Sequence, residues 1–215
     1  PFTLTATASD IDGDTITYSW EERDTGSASV GVNVDNGTAP IQRTWLPSTS
    51  PSRTIPRISN LIANSTAFGE ILPQVARTLN YRVVARDNRA SNGGFATDDV
   101  VLTVSGTTGP FTVTAPNTAV SLTGTTTVTW NVASTNISPV SCANVNILLS
   151  TDGGNTFPTV LLAGTPNDGT QSVTLPNISS SQARIKVESV GNIFFDISNA
   201  NFTITPGVNV SFTGT

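Results

Sequence analysis

Histidine and methionine are absent from all 215 residues, lysine occurs only as Lys186 and cysteine only as Cys142. Without an imidazole, the Ser-His-Asp triad, the two-histidine helix of zinc peptidases and most catalytic zinc sites lack a base or a ligand within this stretch. A single cysteine forms no internal disulfide, so packing alone must hold the fold. The formal net charge of −5 leaves no basic patch dense enough to follow a phosphate backbone, which argues against nucleic acid as a partner. No apolar run approaches the roughly 18 residues that span a bilayer, and no signal peptide is visible, so no membrane insertion is expected. A start at Pro1 inside an already alternating run, together with the missing methionine, reads as a segment of a longer chain.

What is present suits β-structure. Charged residues make up 12% and hydrophobic residues 37%, with abundant Thr, Ser and Asn, a balance that fits pleated, half-buried surfaces. The length exceeds one sandwich of about 100 residues and suits two in tandem. Period-2 alternation marks strands at Phe2–Ala8, Thr15–Trp20, Leu79–Ala85 and Val100–Val104, then at Phe111–Ala115, Thr125–Val132, Val145–Ser150, Gln171–Leu175, Ala183–Val190 and Asn201–Thr205. The Gly/Thr-rich junction Ser105 to Pro110 separates the two groups. The expectation is therefore an all-β chain of two tandem immunoglobulin-like antiparallel β-sandwiches. The first covers residues 1–106, with a Pro-rich insertion over about 36–73 lying on its surface. The second covers 107–206, and 207–215 is a linker or the start of another module. Asn60–Ala63 or Ser179–Gln182 has room for one helical turn.

Three groups of residues carry chemistry. Asp10, Asp12 and Asp14 alternate around Gly13, so their carboxylates can converge on a hard cation that prefers oxygen ligands. Calcium is the candidate ion, with Asp87 as a distant fourth ligand, although no cofactor is required, because a plain Asp-Gly turn satisfied by its own backbone explains the same residues. The spacing is not that of an EF-hand. Ser150, Asp152, Gly154, Thr156 and Phe157 fit the Asp-box pattern Ser-x-Asp-x-Gly-x-Thr-aromatic, read as a structural turn: the aspartate accepts from backbone amides, glycine supplies positive φ and Phe157 anchors the turn to the core. Of the tryptophans, Trp20 and Trp130 lie in alternating strands and belong to cores, while Trp45 lies in the insertion. Exposed, Trp45 is a contact for a partner or glycan; buried, it pins the insertion. The Asn-x-Ser/Thr sequons at Asn36, Asn64, Asn136, Asn177, Asn201 and Asn209 are expected by chance in a chain this rich in those residues. In Phe194-Phe195-Asp196-Ile197, an aspartate beside two aromatics demands a hydrogen-bond partner or exposure.

The segment Ala8 to Trp20 resembles the opening of PKD-like and cadherin-like domains, and Tyr81 to Val104, with Arg86-Asp87-Asn88, resembles their closing strands. The chain as a whole resembles the paired modules downstream of the catalytic domain in secreted reprolysin-like zinc metallopeptidases of Bacteroidetes. The carriers include Tyr18-Ser19-Trp20-Glu21, Gly69-Glu70-Ile71-Leu72-Pro73, Thr129-Trp130-Asn131-Val132, Thr165-Pro166-Asn167-Asp168-Gly169 and Phe194-Phe195-Asp196-Ile197-Ser198. That resemblance implies a non-catalytic accessory module, secreted or at the surface of a bacterial cell, whose partners are the catalytic domain of its parent chain and an extracellular protein or glycan. A carbohydrate-binding or adhesion module and a calcium-rigidified spacer are the competing expectations.

Overall fold

The computed structural model describes residues 1–26, 31 and 33–208, so the sequon at Asn209 and most of the expected linker lie outside the described residues. The protein is all-β, built of mostly antiparallel sheets, with one helical turn among the described residues. It divides into two compact units, residues 1–60 with 65–109 and residues 61–64 with 110–215.

In the first unit, β1 (Phe2–Thr5), β2 (Thr17–Glu22), β3 (Ser52–Ile55), β4 (Arg77–Arg86) and β5 (Phe95–Val104) form two sheets, β1-β3 and β2-β4-β5. The short helix α1 (Ile58–Ile62) follows β3. Alternation along β4 points Arg77, Leu79, Tyr81 and Val83 inward. Trp20 and Glu22 of β2, opposite Val83 and Tyr81 in the ladder, share that face. Phe2 and Leu4 of β1 and Ile55 of β3 close the core from the other sheet. Phe2 meets Tyr81 edge to face at a ring separation of 6.2 Å.

The Pro-rich stretch does not lie over the surface as expected. Ile41, Ile55 and Ile71 are core residues, and Gln42 and Glu70 are buried with them. Its prolines leave the four residues of β3 as its one described run of ladder pairing, beside single bridges at Ser48, between Gln42 and Glu70 and between Ala67 and Glu70, so the pattern does not announce a strand.

The second unit contains β6 (Thr112–Ala115), β7 (Ser121–Leu122), β8 (Thr125–Asn131), β9 (Asn144–Ser150), β10 (Thr159–Pro166), β11 (Thr170–Thr174), β12 (Ser180–Ser189), β13 (Phe195–Ile197) and β14 (Phe202–Ile204). One sheet runs β10-β9-β12-β14-β7, with β13 also on β12, and the other runs β11-β8-β6. Among the described residues only β14 and β7 pair in parallel. Residues 180–182, a candidate helical turn by sequence, open β12 instead. Between the sheets lie Phe111, Val113, Val128, Trp130, Val145, Ile147, Leu149, Ile185, Val187, Phe202 and Ile204. Trp20 and Trp130 are thus both core residues.

Trp130 brings an indole N–H into this apolar space, and that donor must be met. Its Nε1 donates to Asn167 Oδ1 at 2.8 Å, and Asn167 Nδ2 donates to Thr135 Oγ1 and to Cys142 O at 3.0 Å each. Asn167 N donates to Ala143 O, so this one residue joins β8 to the loops after it and before β9. Asn167→Ala leaves a buried indole donor and a buried carbonyl without partners, and should lower the stability of this unit by about 2 kcal/mol. Urea unfolding followed by Trp130 fluorescence, with Asn167→Asp as a variant that retains the acceptor, checks it.

Candidate functional site

At one end of the first unit, the turn after β1 and the turn after β4 border a shallow hollow of about 160 Å³ whose lining includes Asp10, Asp87, Arg86 and Phe95. Asp10 Oδ1 accepts from the amides of Asp12 and Asp14, at 3.0 Å each, which closes the turn over Gly13 at φ +79°. Asp87 accepts from the amides of Gly94 at 2.6 Å and Arg89 at 3.1 Å. These amides, Gly94 first, hold its carboxyl below the ordinary aspartate range. Arg89 fills the centre: its Nη1 lies 2.6 Å from Asp12 Oδ2 and its Nε 3.3 Å from Asp14 Oδ2. The four aspartates therefore share one region, but their oxygens face amides and a guanidinium. Among the described residues no group of three acidic, histidine or cysteine side chains is arranged to hold a metal ion. Arg89, absent from the sequence reading, is the group that pairs with Asp12 and Asp14.

Trp45 is half-buried, between the two alternatives that the sequence left open. The Arg57 guanidinium carbon lies 3.1 Å from its ring centroid and that of Arg43 lies 5.1 Å away, a cation–π contact that covers ring surface a sugar would stack on. Its Nε1 donates to Glu70 Oε1 at 3.0 Å, and Arg53 Nη2 donates to the same oxygen at 3.0 Å. Arg53 Nη1 reaches Trp20 O at 2.7 Å. Trp45 thus ties the Pro-rich stretch to the buried carboxylate of Glu70 and, through Arg53, to β2.

The turn from Ser150 to Phe157 is closed by side chains. Ser150 Oγ donates to Asp152 Oδ1 at 2.6 Å and accepts from the amides of Asp152 and Gly154. Asp152 accepts from Thr156 N at 3.0 Å and from Thr156 Oγ1 at 2.6 Å. Those bonds, the Ser150 hydroxyl first, hold the Asp152 carboxyl well below the usual range. Gly153 and Gly154 stand at φ +80° and +97°, and a Cβ on Gly154 would sit 3.0 Å from Arg184 Cδ. Phe157 departs from the expected role. It is half-buried and outside the core cluster, with the Lys186 ammonium 5.9 Å from its ring and 4.4 Å from that of Phe195. Lys186 also pairs with Glu188 at 2.7 Å. Asp196 finds the partner it needs in the Val113 amide at 2.7 Å, while burial pushes its carboxyl above the ordinary value.

One cluster escaped the sequence reading altogether. Arg77, whose side chain is 1% exposed, faces Asp35 at 2.6 Å, Asp24 at 2.9 Å and Glu22 at 3.7 Å, and donates to Ala39 O at 2.8 Å. Burial raises Asp35, but the amides of Gln74 and Gly37 and the Arg77 guanidinium outweigh it and hold the carboxyl below its usual range. The inward parity of Arg77 with Leu79, Tyr81 and Val83 is the signal that could have revealed it.

No family model matches the sequence, and no curated protein matches it.

Calcium at millimolar concentration should leave the melting temperature of the wild-type chain unchanged relative to chelator, because the Arg89 guanidinium already stands between Asp12 and Asp14. Arg89→Ser frees both carboxylates, and a calcium-dependent rise should appear in that variant alone. For the second turn, Asp152→Ala removes an acceptor of three bonds and should destabilise its unit by about 1 kcal/mol. Because the folded carboxyl lies below the unfolded one, this contribution is present above the ordinary value of 3.8 and is lost as pH falls through the lower folded value. Wild type and Asp152→Ala should therefore converge in acid, as measured by unfolding at a series of pH values.

Proposed function

We propose that the chain is a non-catalytic accessory module of a secreted or cell-surface protein, acting as a spacer or as a docking unit beside a catalytic domain. The observation that carries this reading is where the polar chemistry is used. The carboxylates of Asp10, Asp87 and Asp152 accept from the amides of their own turns, and the Arg77 and Glu70 groups bond across their own unit. The resemblance of the sequence to modules that follow the catalytic domain of reprolysin-like zinc metallopeptidases gives the reading its setting, with a bacterial, extracellular location and the parent chain's catalytic domain as partner. A module of this kind affects turnover by holding substrate or partner near a reactive site, in the manner of any tethered unit.

The test compares the full-length parent protein with a version lacking these 215 residues. Hydrolysis of a short peptide should be unchanged, while kcat/KM on a folded protein substrate should drop by about tenfold if the module docks substrate, the scale expected when a tether is lost. Loss of activity on both substrates would assign the module to the folding of the catalytic domain instead. The isolated chain on a glycan array, compared with Trp45→Ala, separates the adhesion reading. Binding that depends on Trp45 would sink the accessory reading, and the cover of Arg57 on that ring argues that none will be seen.

A further inference from the structure

Glu22 is the one member of the Arg77 cluster whose charge is not matched. Its side chain is fully buried. Oε2 accepts from the amides of Ile41 and Gln42 at 2.8 and 2.5 Å, but Oε1 accepts no hydrogen bond among the described residues and stands 3.7 Å from Arg77 Nη2. Arg77 is already claimed by Asp35 and Asp24 at shorter range. With all three carboxyls ionised, the buried site would hold three negative charges against one positive charge. A proton on Oε1 halves that excess and gives the oxygen a donor to point at its neighbour Asp24.

The charged and titratable groups that face Glu22 come from every element around it. They are Asp24 beyond the end of β2, Arg77 and the Tyr81 hydroxyl of β4, and Asp35, with Arg53 and Glu70 beyond Gln42, whose side chain accepts from Tyr81. The same atoms fasten one length of chain. Glu22 holds the amides of Ile41 and Gln42, Asp35 holds those of Gly37 and Gln74, and Arg77 holds the carbonyl of Ala39.

We propose that this cluster is a proton-operated latch: a proton held between Glu22 and Asp24 lets residues 35–42 lie closed on β2 and β4, and its removal loosens them.

Burial, before the Asp24 carboxyl, pushes Glu22 up from 4.5 to about 7 against the pull of the Gln42 and Ile41 amides. The folded chain therefore keeps a proton that the unfolded chain releases in the window between those values. Stability from this group is fully present below 4.5, falls as pH rises towards about 7, and is level above that. Asp35 acts in the opposite sense, adding stability above 3.8 that is lost in stronger acid. The first unit should be firmest in mildly acid solution.

Hydrogen exchange of the whole chain, corrected for the intrinsic pH dependence of exchange, is the direct reading. Protection of the Ile41 and Gln42 amides should drop about tenfold or more between about pH 5 and about pH 8, while amides of β9 and β12 stay level. In parallel, Glu22→Gln carries the neutral form at every pH. The first unit of the wild-type chain should lose several degrees of melting temperature over that range, and the variant a small part of it. Wild-type protection that is flat with pH overturns the latch, as does a Glu22→Gln melting curve that falls in parallel with wild type. If Glu22→Gln does not fold, the wild-type exchange profile decides alone.

Discussion

Taking a guanidinium out of water is costly unless its donors are met by charge and hydrogen bonds. The first unit accepts this at Arg77, which the alternation of β4 carries to the inner face in line with Leu79, Tyr81 and Val83. Much of the surrounding architecture answers that requirement. Asp24 and Glu22 come from the end of β2, Asp35 and the Ala39 carbonyl from the chain that follows, and the amides of residues 37, 41, 42 and 74 are drawn in by the carboxylates. A stretch with little secondary structure is fixed in this way by electrostatics where a ladder is missing. Breaking one partner of such a group typically harms a fold more than replacing the whole group with apolar side chains, so these residues form a unit rather than a set of separate contributions.

The β-rich character and most strands were legible because period-2 alternation is a local property that the sequence carries openly. β2, β4, β6, β8, β9 and β12 all fall on alternating runs. The strands that went unseen lack that signal for identifiable reasons. β3 is held between Pro51 and Pro56, β10 reads as an apolar run broken by Gly164 and ends on Pro166, and β7 and β13 have only two and three residues. The candidate sites were legible as residue types and turns, but not as charge balances. Nothing near Asp12 in sequence says that Arg89 will arrive beside it, and nothing near Trp45 says that Arg57 will cover its ring. Long-range pairing of this kind depends on tertiary structure, and period and composition do not encode it.

The two units solve the problem of irregular backbone in different ways. In the first, buried ion pairs do the fastening; in the second, short side chains that hydrogen-bond to nearby backbone do. Asn167 holds the Trp130 indole and two loops at once, and the turn after β9 is wound around the Ser150 hydroxyl and the Asp152 carboxylate. A turn fastened to itself keeps its shape without help from a ligand.

The strand β5 is ten residues long, forms one margin of its sheet and, among the described residues, pairs only with β4. Phe95 and Val101 on it are exposed, and its middle is Asp98-Asp99. A long, open, largely apolar margin is the template on which chains stack into fibrils, and two adjacent acids near its centre put like charges opposite one another in a parallel, in-register stack. Arg82 and Arg23 neutralise Asp99 within the chain, which leaves Asp98 as the principal guard against self-association along this margin.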